Sequence, residues 1–138
     1  MNPDDYTLES ILAEAKTIAV VGLSDDPSRT SHRIAAYMQE AGYRIIPINP
    51  GIDSALGEKA YPCLNEVEWR IDIVNVFRRS GEIPALVGGA IEIHPRAFWM
   101  QKGIAHLASA LRLEDAGIMT IQDLCIKTTH WELTQSLR

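Results

Sequence analysis

The residues with the most chemistry to offer lie in one stretch, Gly22-Leu23-Ser24-Asp25-Asp26-Pro27-Ser28-Arg29-Thr30-Ser31. It follows the apolar run Thr17-Ile18-Ala19-Val20-Val21 and precedes an amphipathic segment with Ile34, Ala35, Met38 and Ala41 on one face. A strand–loop–helix turn of this kind aims free N–H groups and a partial positive charge at whatever sits over the loop, which suits a phosphate. Ser24, Thr30 and Ser31 add hydroxyls, and Arg29 adds a planar fork matched to phosphate oxygens. The pattern is not Gly-x-Gly-x-x-Gly, because Ser24 stands at the second glycine position. The plain alternative is a capped turn with solvated Asp25, Asp26 and Arg29. Its place on the first strand-to-helix turn favours phosphate.

A second group is Ile48-Asn49-Pro50, at the end of the next apolar run. A nicotinamide dinucleotide site expects Asp or Glu about 20 residues beyond the glycines, holding the ribose hydroxyls. No acid stands there, and Asp53 comes too late. Asn49 is a candidate for a ribose or adenine edge, and Ile48 and Pro50 for an apolar wall against a purine. A rigid turn is the competing reading of Pro50. The third group is Phe77-Arg78-Arg79-Ser80, a further anion contact or else a solvated arginine pair. With Arg29 and Arg33 it places four of the nine arginines on the expected site loops, which favours a ligand with several negative charges. Gln101, with Gly103 after it, offers an amide to a ligand carbonyl. Trp99 reads as core. Cys63 and Cys125 read as inert thiols, and spacing alone pairs neither Cys125, Lys127 nor His130.

These groups need a scaffold that gathers them. Thr7 to Lys16 reads as a helix capped by Thr7, and Thr17 to Gly22 as a strand covered on both faces. A helix capped by Thr30 or Ser31 runs to about Ala41, and Tyr43 to Ile48 forms the second strand. Ile52 to Val67 reads as loop. Ile71 to Phe77 is the third strand, and Ser80 caps a helix with Pro84 in its first turn. Ala97 to Gln101, Ala105 to Ala116 and Ile118 to Ile121 give strand, helix and strand, and a short helix is expected in the tail. Strands alternating with helices predict an α/β fold: one doubly wound parallel sheet of five strands, Rossmann-like, with helices on both faces. Ligands of such sheets sit outside the carboxyl ends of the strands.

The chain has 138 residues, 46% of them apolar and 22% charged, which predicts a single domain over residues 1–138. Its net charge of −5 argues against a nonspecific nucleic-acid partner. No apolar run approaches the roughly 18–20 residues that would cross a bilayer. The acidic start Met1 to Tyr6 lacks the features of a signal peptide, so a cytoplasmic protein with reduced thiols is expected. No metal-ligand spacing appears.

Several segments recur together in one family: Val21-Gly22-Leu23-Ser24 with Pro27, Arg29 and Ser31; Gly42-Tyr43; Pro47-Ile48-Asn49-Pro50; Leu56-Gly57; Tyr61-Pro62; Asp72-Ile73-Val74; Val76-Phe77-Arg78-Arg79-Ser80; Trp99-Met100-Gln101 with Gly103; Ala116-Gly117; and Cys125-Ile126-Lys127 with His130. Over roughly residues 6 to 133 the sequence resembles the small stand-alone CoA-binding proteins of bacteria and archaea. Their domain is similar to the N-terminal domain of the succinyl-CoA synthetase alpha subunit. The resemblance implies a Rossmann-type fold binding coenzyme A. Gly22, Ser24, Arg29, Thr30 and Ser31 would hold the pyrophosphate, and Ile48, Asn49 and Pro50 would flank the adenine. Phe77, Arg78, Arg79 and Ser80 would line the path of the nucleotide and pantetheine, with Gln101 toward the thiol arm. The synthetase relatives offer the 3′-phosphate a lysine after the second strand. Asn49 to Ser54 contains none, which leaves Arg78, Arg79 or Arg44. This chain also has His106-Leu107-Ala108 where many members carry Asn-Glu-Glu, and Leu124 where many carry Arg.

The expected function is a carrier or sensor of CoA or an acyl-CoA, without catalysis of its own, because the ATP-handling domains of the synthetases have no room in this length. The alternatives are an accessory subunit of an acyl-CoA ligase-type enzyme, acting with a protein partner, and an NAD(P)-binding redox protein. A homo-oligomer is compatible with any of these.

Overall fold

The computed structural model describes residues 2–135. Five strands, β1 (Thr17–Val21), β2 (Arg44–Ile48), β5 (Ile73–Val76), β6 (Ala97–Met100) and β7 (Met119–Ile121), form one sheet in the order β2-β1-β5-β6-β7. Every pairing in it is parallel. The chain starts at β1, moves outward to β2, then crosses back to β5 on the other side of β1. That reversal is the switch point of a doubly wound sheet, in its flavodoxin-like order. Val21 lies opposite Ile48 on one side and Val76 on the other, so the three carboxyl ends finish level.

Each strand buries both faces, as parallel strands under crossover helices must. In β1, Ile18 and Val20 pack with Leu8 and Ile11 of α1 (Asp5–Glu14), Ile34 and Met38 of α2 (Thr30–Glu40), and Ile126 of α5 (Ile126–Gln135). Ala19 and Val21 pack on the opposite face with Val87 of α3 (Pro84–Ile93) and Leu113 of α4 (Leu107–Asp115). Trp99 is fully buried, and its indole N–H donates to the Leu124 carbonyl at 2.8 Å. Pro47 costs the sheet nothing. Its carbonyl accepts the Tyr61 N–H on the outer side of β2, so the donor it lacks would have faced outward as well.

Several local expectations change. Asp4, not Thr7, caps α1, accepting the Thr7 N–H at 2.9 Å. The residue before α2 is Arg29, and no side chain caps that helix. Ser80 opens a single 3-10 turn (Ser80–Glu82) rather than capping α3, which starts at Pro84. Its hydroxyl instead accepts the Ala105 N–H at 3.0 Å. The segment expected as loop folds into a hairpin of β3 (Ser54–Ala55) and β4 (Glu58–Lys59), then a 3-10 turn at Leu64–Glu66. The tail helix α5 is longer than a short cap, reaching Gln135 at the limit of the described residues.

Asp72 pins the amino end of the sheet. Its carboxylate accepts the Lys16 N–H at 2.8 Å and the Thr17 N–H at 3.1 Å, and its carbonyl accepts from Arg96 and Ala97 at the start of β6. Burial pushes its carboxyl pKa up, but the hydrogen bonds from Lys16 and Thr17 outweigh this and hold it below the usual value. A depressed native pKa adds stability above the unfolded value of about 3.9, lost as pH falls through the native value. Asp72→Ala should therefore lower unfolding free energy at pH 7 by about 0.5–1.5 kcal/mol, solvent screening of this part-exposed carboxylate reducing the worth of its hydrogen bonds. Urea denaturation should show that gap shrinking as pH drops below about 4; a gap constant with pH would refute the assignment.

Candidate functional site

Three strand ends meet at Gly22. Its N–H donates to the Ile48 carbonyl at 2.8 Å, and the Phe77 N–H donates to the Val21 carbonyl at 2.8 Å. Gly22 has φ +86°, and a Cβ there would stand 2.5 Å from the Phe77 carbonyl oxygen. Only glycine allows β1 and β5 to approach so closely and turn into the loop. The loop closes on itself. Ser31 Oγ accepts the Ser24 N–H at 3.0 Å, and Ser24 Oγ accepts the Asp26 N–H at 3.0 Å. Asp26 accepts both the N–H and the hydroxyl of Ser28, which hold its carboxyl below the usual range.

Over this loop lies a cavity of about 490 Å³, lined by Gly22, Ser24, Ser28, Arg29, Thr30, Ser31 and Phe77. The first turn of α2 carries no acid and no side-chain cap, which leaves its N–H groups without a side-chain partner. A helix start of this kind has the chemistry of an anion cradle. Ser28 belongs to it although the sequence reading passed over it; its position just before the helix start was the available signal.

A second cleft, about 260 Å³, opens on the other face of the same strand ends. Val21, Ile48, Pro50, Pro62, Leu64 and Leu86 give it apolar walls, and Arg78 lines it as well. It suits a flat, weakly polar ring. Pro62, Leu64 and Leu86 were not among the sequence candidates, because only the fold brings the 3-10 turn and α3 against β2. Arg78 ties the two hollows together: its Nε lies 3.3 Å from the position of a Gly22 Cβ. Arg29 and Arg78 thus flank one crevice at the switch point.

The remaining candidates fall elsewhere. Asn49 lies at the crevice, but its carboxamide is committed: Nδ2 donates to the Leu23 carbonyl at 3.0 Å, and Oδ1 accepts the Gly51 N–H at 2.9 Å. It braces the loop with one of its two amide N–H groups and its carbonyl. Arg79 and Arg33 are exposed and line neither hollow. Arg44 sits at the amino end of β2, stacked on the Trp69 ring at 3.8 Å, away from the crevice. Gln101 is 4% exposed, and its Oε1 accepts from Asn75 at 3.2 Å and from the Ile126 N–H at 2.8 Å. Asn75, equally buried, is a partner the sequence did not single out.

Cys125 stands at the start of α5. Burial raises its thiol pKa, but the Thr128 N–H and hydroxyl, the Gln101 amide and the Lys127 N–H together hold it below the ordinary thiol value. His130 is turned to the tyrosines instead. Its Nδ1 meets the Tyr37 hydroxyl at 2.9 Å, its ring packs edgewise on Tyr37 and Tyr43, and burial lowers its pKa. In a Cys63→Ser background, the rate of Cys125 alkylation by iodoacetamide should rise with a midpoint below about 8.5, the free-thiol value. Thr128→Ala should move that midpoint upward; a midpoint at or above the free-thiol value would contradict the hydrogen-bond account.

Among the described residues, no helix is long and apolar enough to cross a membrane, and no group of His, Cys, Asp and Glu side chains could hold a metal ion. A family model described as a CoA binding domain matches residues 16–131. The Bacillus subtilis (strain 168) protein YneT is 48% identical over 129 residues, covering 94% of this chain and 96% of that one. A solved structure from Thermus thermophilus has a TM-score of 0.92 at 34% identity, covering 95% of this chain and 99% of that one. The dinucleotide-forming acetyl-coenzyme A synthetase 1 of Ca. Korarchaeum cryptofilum matches at TM-score 0.66 and 21% identity, over 76% of this chain and 25% of its own. At that identity the likeness is one of fold. A five-stranded parallel sheet, an uncapped helix start beside two arginines and a match along most of the length agree: this chain belongs to the family of CoA-binding domains.

Proposed function

We propose that the chain binds coenzyme A or an acyl-CoA across the switch point, as a carrier or sensor rather than a catalyst. The pyrophosphate lies in the cradle of Gly22, Ser24, Ser28, Arg29, Thr30 and Ser31. The adenine enters the apolar cleft between Ile48, Pro50 and Leu86. The pantetheine arm leaves past Phe77 and Ser80. The observation that carries this reading is the position of Arg78, which lines the apolar cleft and touches the rim of the anion cradle at Gly22. One ligand with a flat ring joined to charged phosphates fits both at once. The side chains lining the two hollows include no carboxylate and no imidazole, which favours binding over acid–base chemistry. The turn after β2 carries no acid for a ribose diol, which disfavours NAD.

Calorimetry with CoA, acetyl-CoA, dephospho-CoA and NAD tests the proposal. CoA and acetyl-CoA should bind and NAD should not; binding of NAD alone would overturn it. Arg78→Ala should cost about 1.5–3 kcal/mol of CoA affinity, the worth of a charged hydrogen-bonded contact, or about ten- to hundredfold in Kd. An unchanged Kd would remove Arg78 from the site.

A further inference from the structure

We infer that the outer face of α4 is a self-association surface, on which a second copy of this chain packs helix against helix about a two-fold axis. Ser109, Ala110 and Leu113 turn inward and are buried, as the core-facing stripe of a crossover helix should be. The outward stripe is apolar as well. Leu107 and Leu111, one turn apart on it, are 65% and 57% exposed. Glu114 continues that stripe and Asp115 flanks it, both of them exposed. A lone exposed leucine is ordinary, but two stacked on one helix face form a ridge that a second helix can straddle.

The charges along α4 run against its own dipole. The first turn holds no acid, whereas Glu114 and Asp115 stand at the C-terminal end, where carboxylates are unfavourable. Lys102, exposed, precedes the helix, and none of these three forms an ion pair among the described residues. This order is unhelpful to one helix and complementary to two. An antiparallel pair centred between Leu107 and Leu111 sets Leu107 of each copy against Leu111 of the other. It also brings Lys102 of each toward Glu114 and Asp115 of the other, so a two-fold contact satisfies both ends at once. The neighbouring edge of the sheet steers the contact to the helices. β7 is an outer strand, and a free edge invites a second sheet. Asn2 obstructs that: its side chain donates to the Gln122 carbonyl at 2.7 Å and accepts the Gln122 N–H at 2.7 Å, occupying the backbone groups that follow β7. Two leucines and three charges from each copy make a small interface, so the dimer is weak and exchanges readily.

Sedimentation velocity of the full chain, from about 10 μM to 1 mM, should show a monomer–dimer equilibrium. Leu107→Glu together with Leu111→Glu should weaken association about tenfold or more while leaving the circular dichroism unchanged, because both side chains already stand in water. Lys102→Glu should weaken it about threefold or more, with the larger effect at low salt. Adding Glu114→Lys and Asp115→Lys to Lys102→Glu should restore association, since the same pairs form again with their signs reversed. A chain that stays monomeric throughout, an association untouched by the leucine changes, or a charge-reversed triple variant as weak as Lys102→Glu would each overturn the inference. So would loss of association in Trp131→Glu, which alters an exposed ring of α5 on the opposite face of the sheet.

Discussion

The carboxyl edge of the sheet depends on how closely β1 and β5 approach at Gly22. With a hydrogen atom in place of a side chain, the Phe77 carbonyl can occupy space that any Cβ would need. The positive φ at the same residue turns the chain out of the strand and toward α2. Two consequences follow from this single contact. The loop that starts α2 is set directly above the strand ends, and the Arg78 side chain is laid across the glycine. A substituent at residue 22 would push the anion cradle and the apolar cleft apart.

The electrostatics show how an acidic protein presents a cationic site. The chain carries a net charge of −5, yet the hollows at the switch point are lined by arginine, hydroxyls and helix N–H groups. In the loop, Asp26 is turned back onto Ser28, where it satisfies local donors. Leaving the first turn of α2 without a cap forgoes a modest stabilisation of the helix, about 0.5–2 kcal/mol. That arrangement leaves the start of α2 without a side-chain partner at the edge of the crevice.

The two ends of the sheet are held by different means. At the amino end, the Asp72 carboxylate gathers the starts of β1 and β5 and its backbone carbonyl reaches β6. At the carboxyl end, the buried amides of Asn75 and Gln101 join β5 and β6 to the first N–H of α5. A buried amide left unpaired would be costly, so this small network fixes the place of α5 and of Cys125 within it.

The sequence by itself determined the strands, their alternation with helices and the position of the crevice, because burial on one or both faces leaves a periodic trace in neighbouring residues. It also singled out the Gly22 loop and Arg78, which the structure brings to one end of the sheet. Only tertiary structure decided what each polar side chain faces. Asn49 is spent on Leu23, Ser80 on Ala105, and Gln101 on Asn75 and Ile126, partners that lie 25 or 26 residues away. The β3–β4 hairpin, which returns the chain to the edge of β2, is too short to leave a periodic signal. Hydrogen-bond partners so distant along the chain are set by how the layers pack, and packing leaves no local mark on residue order.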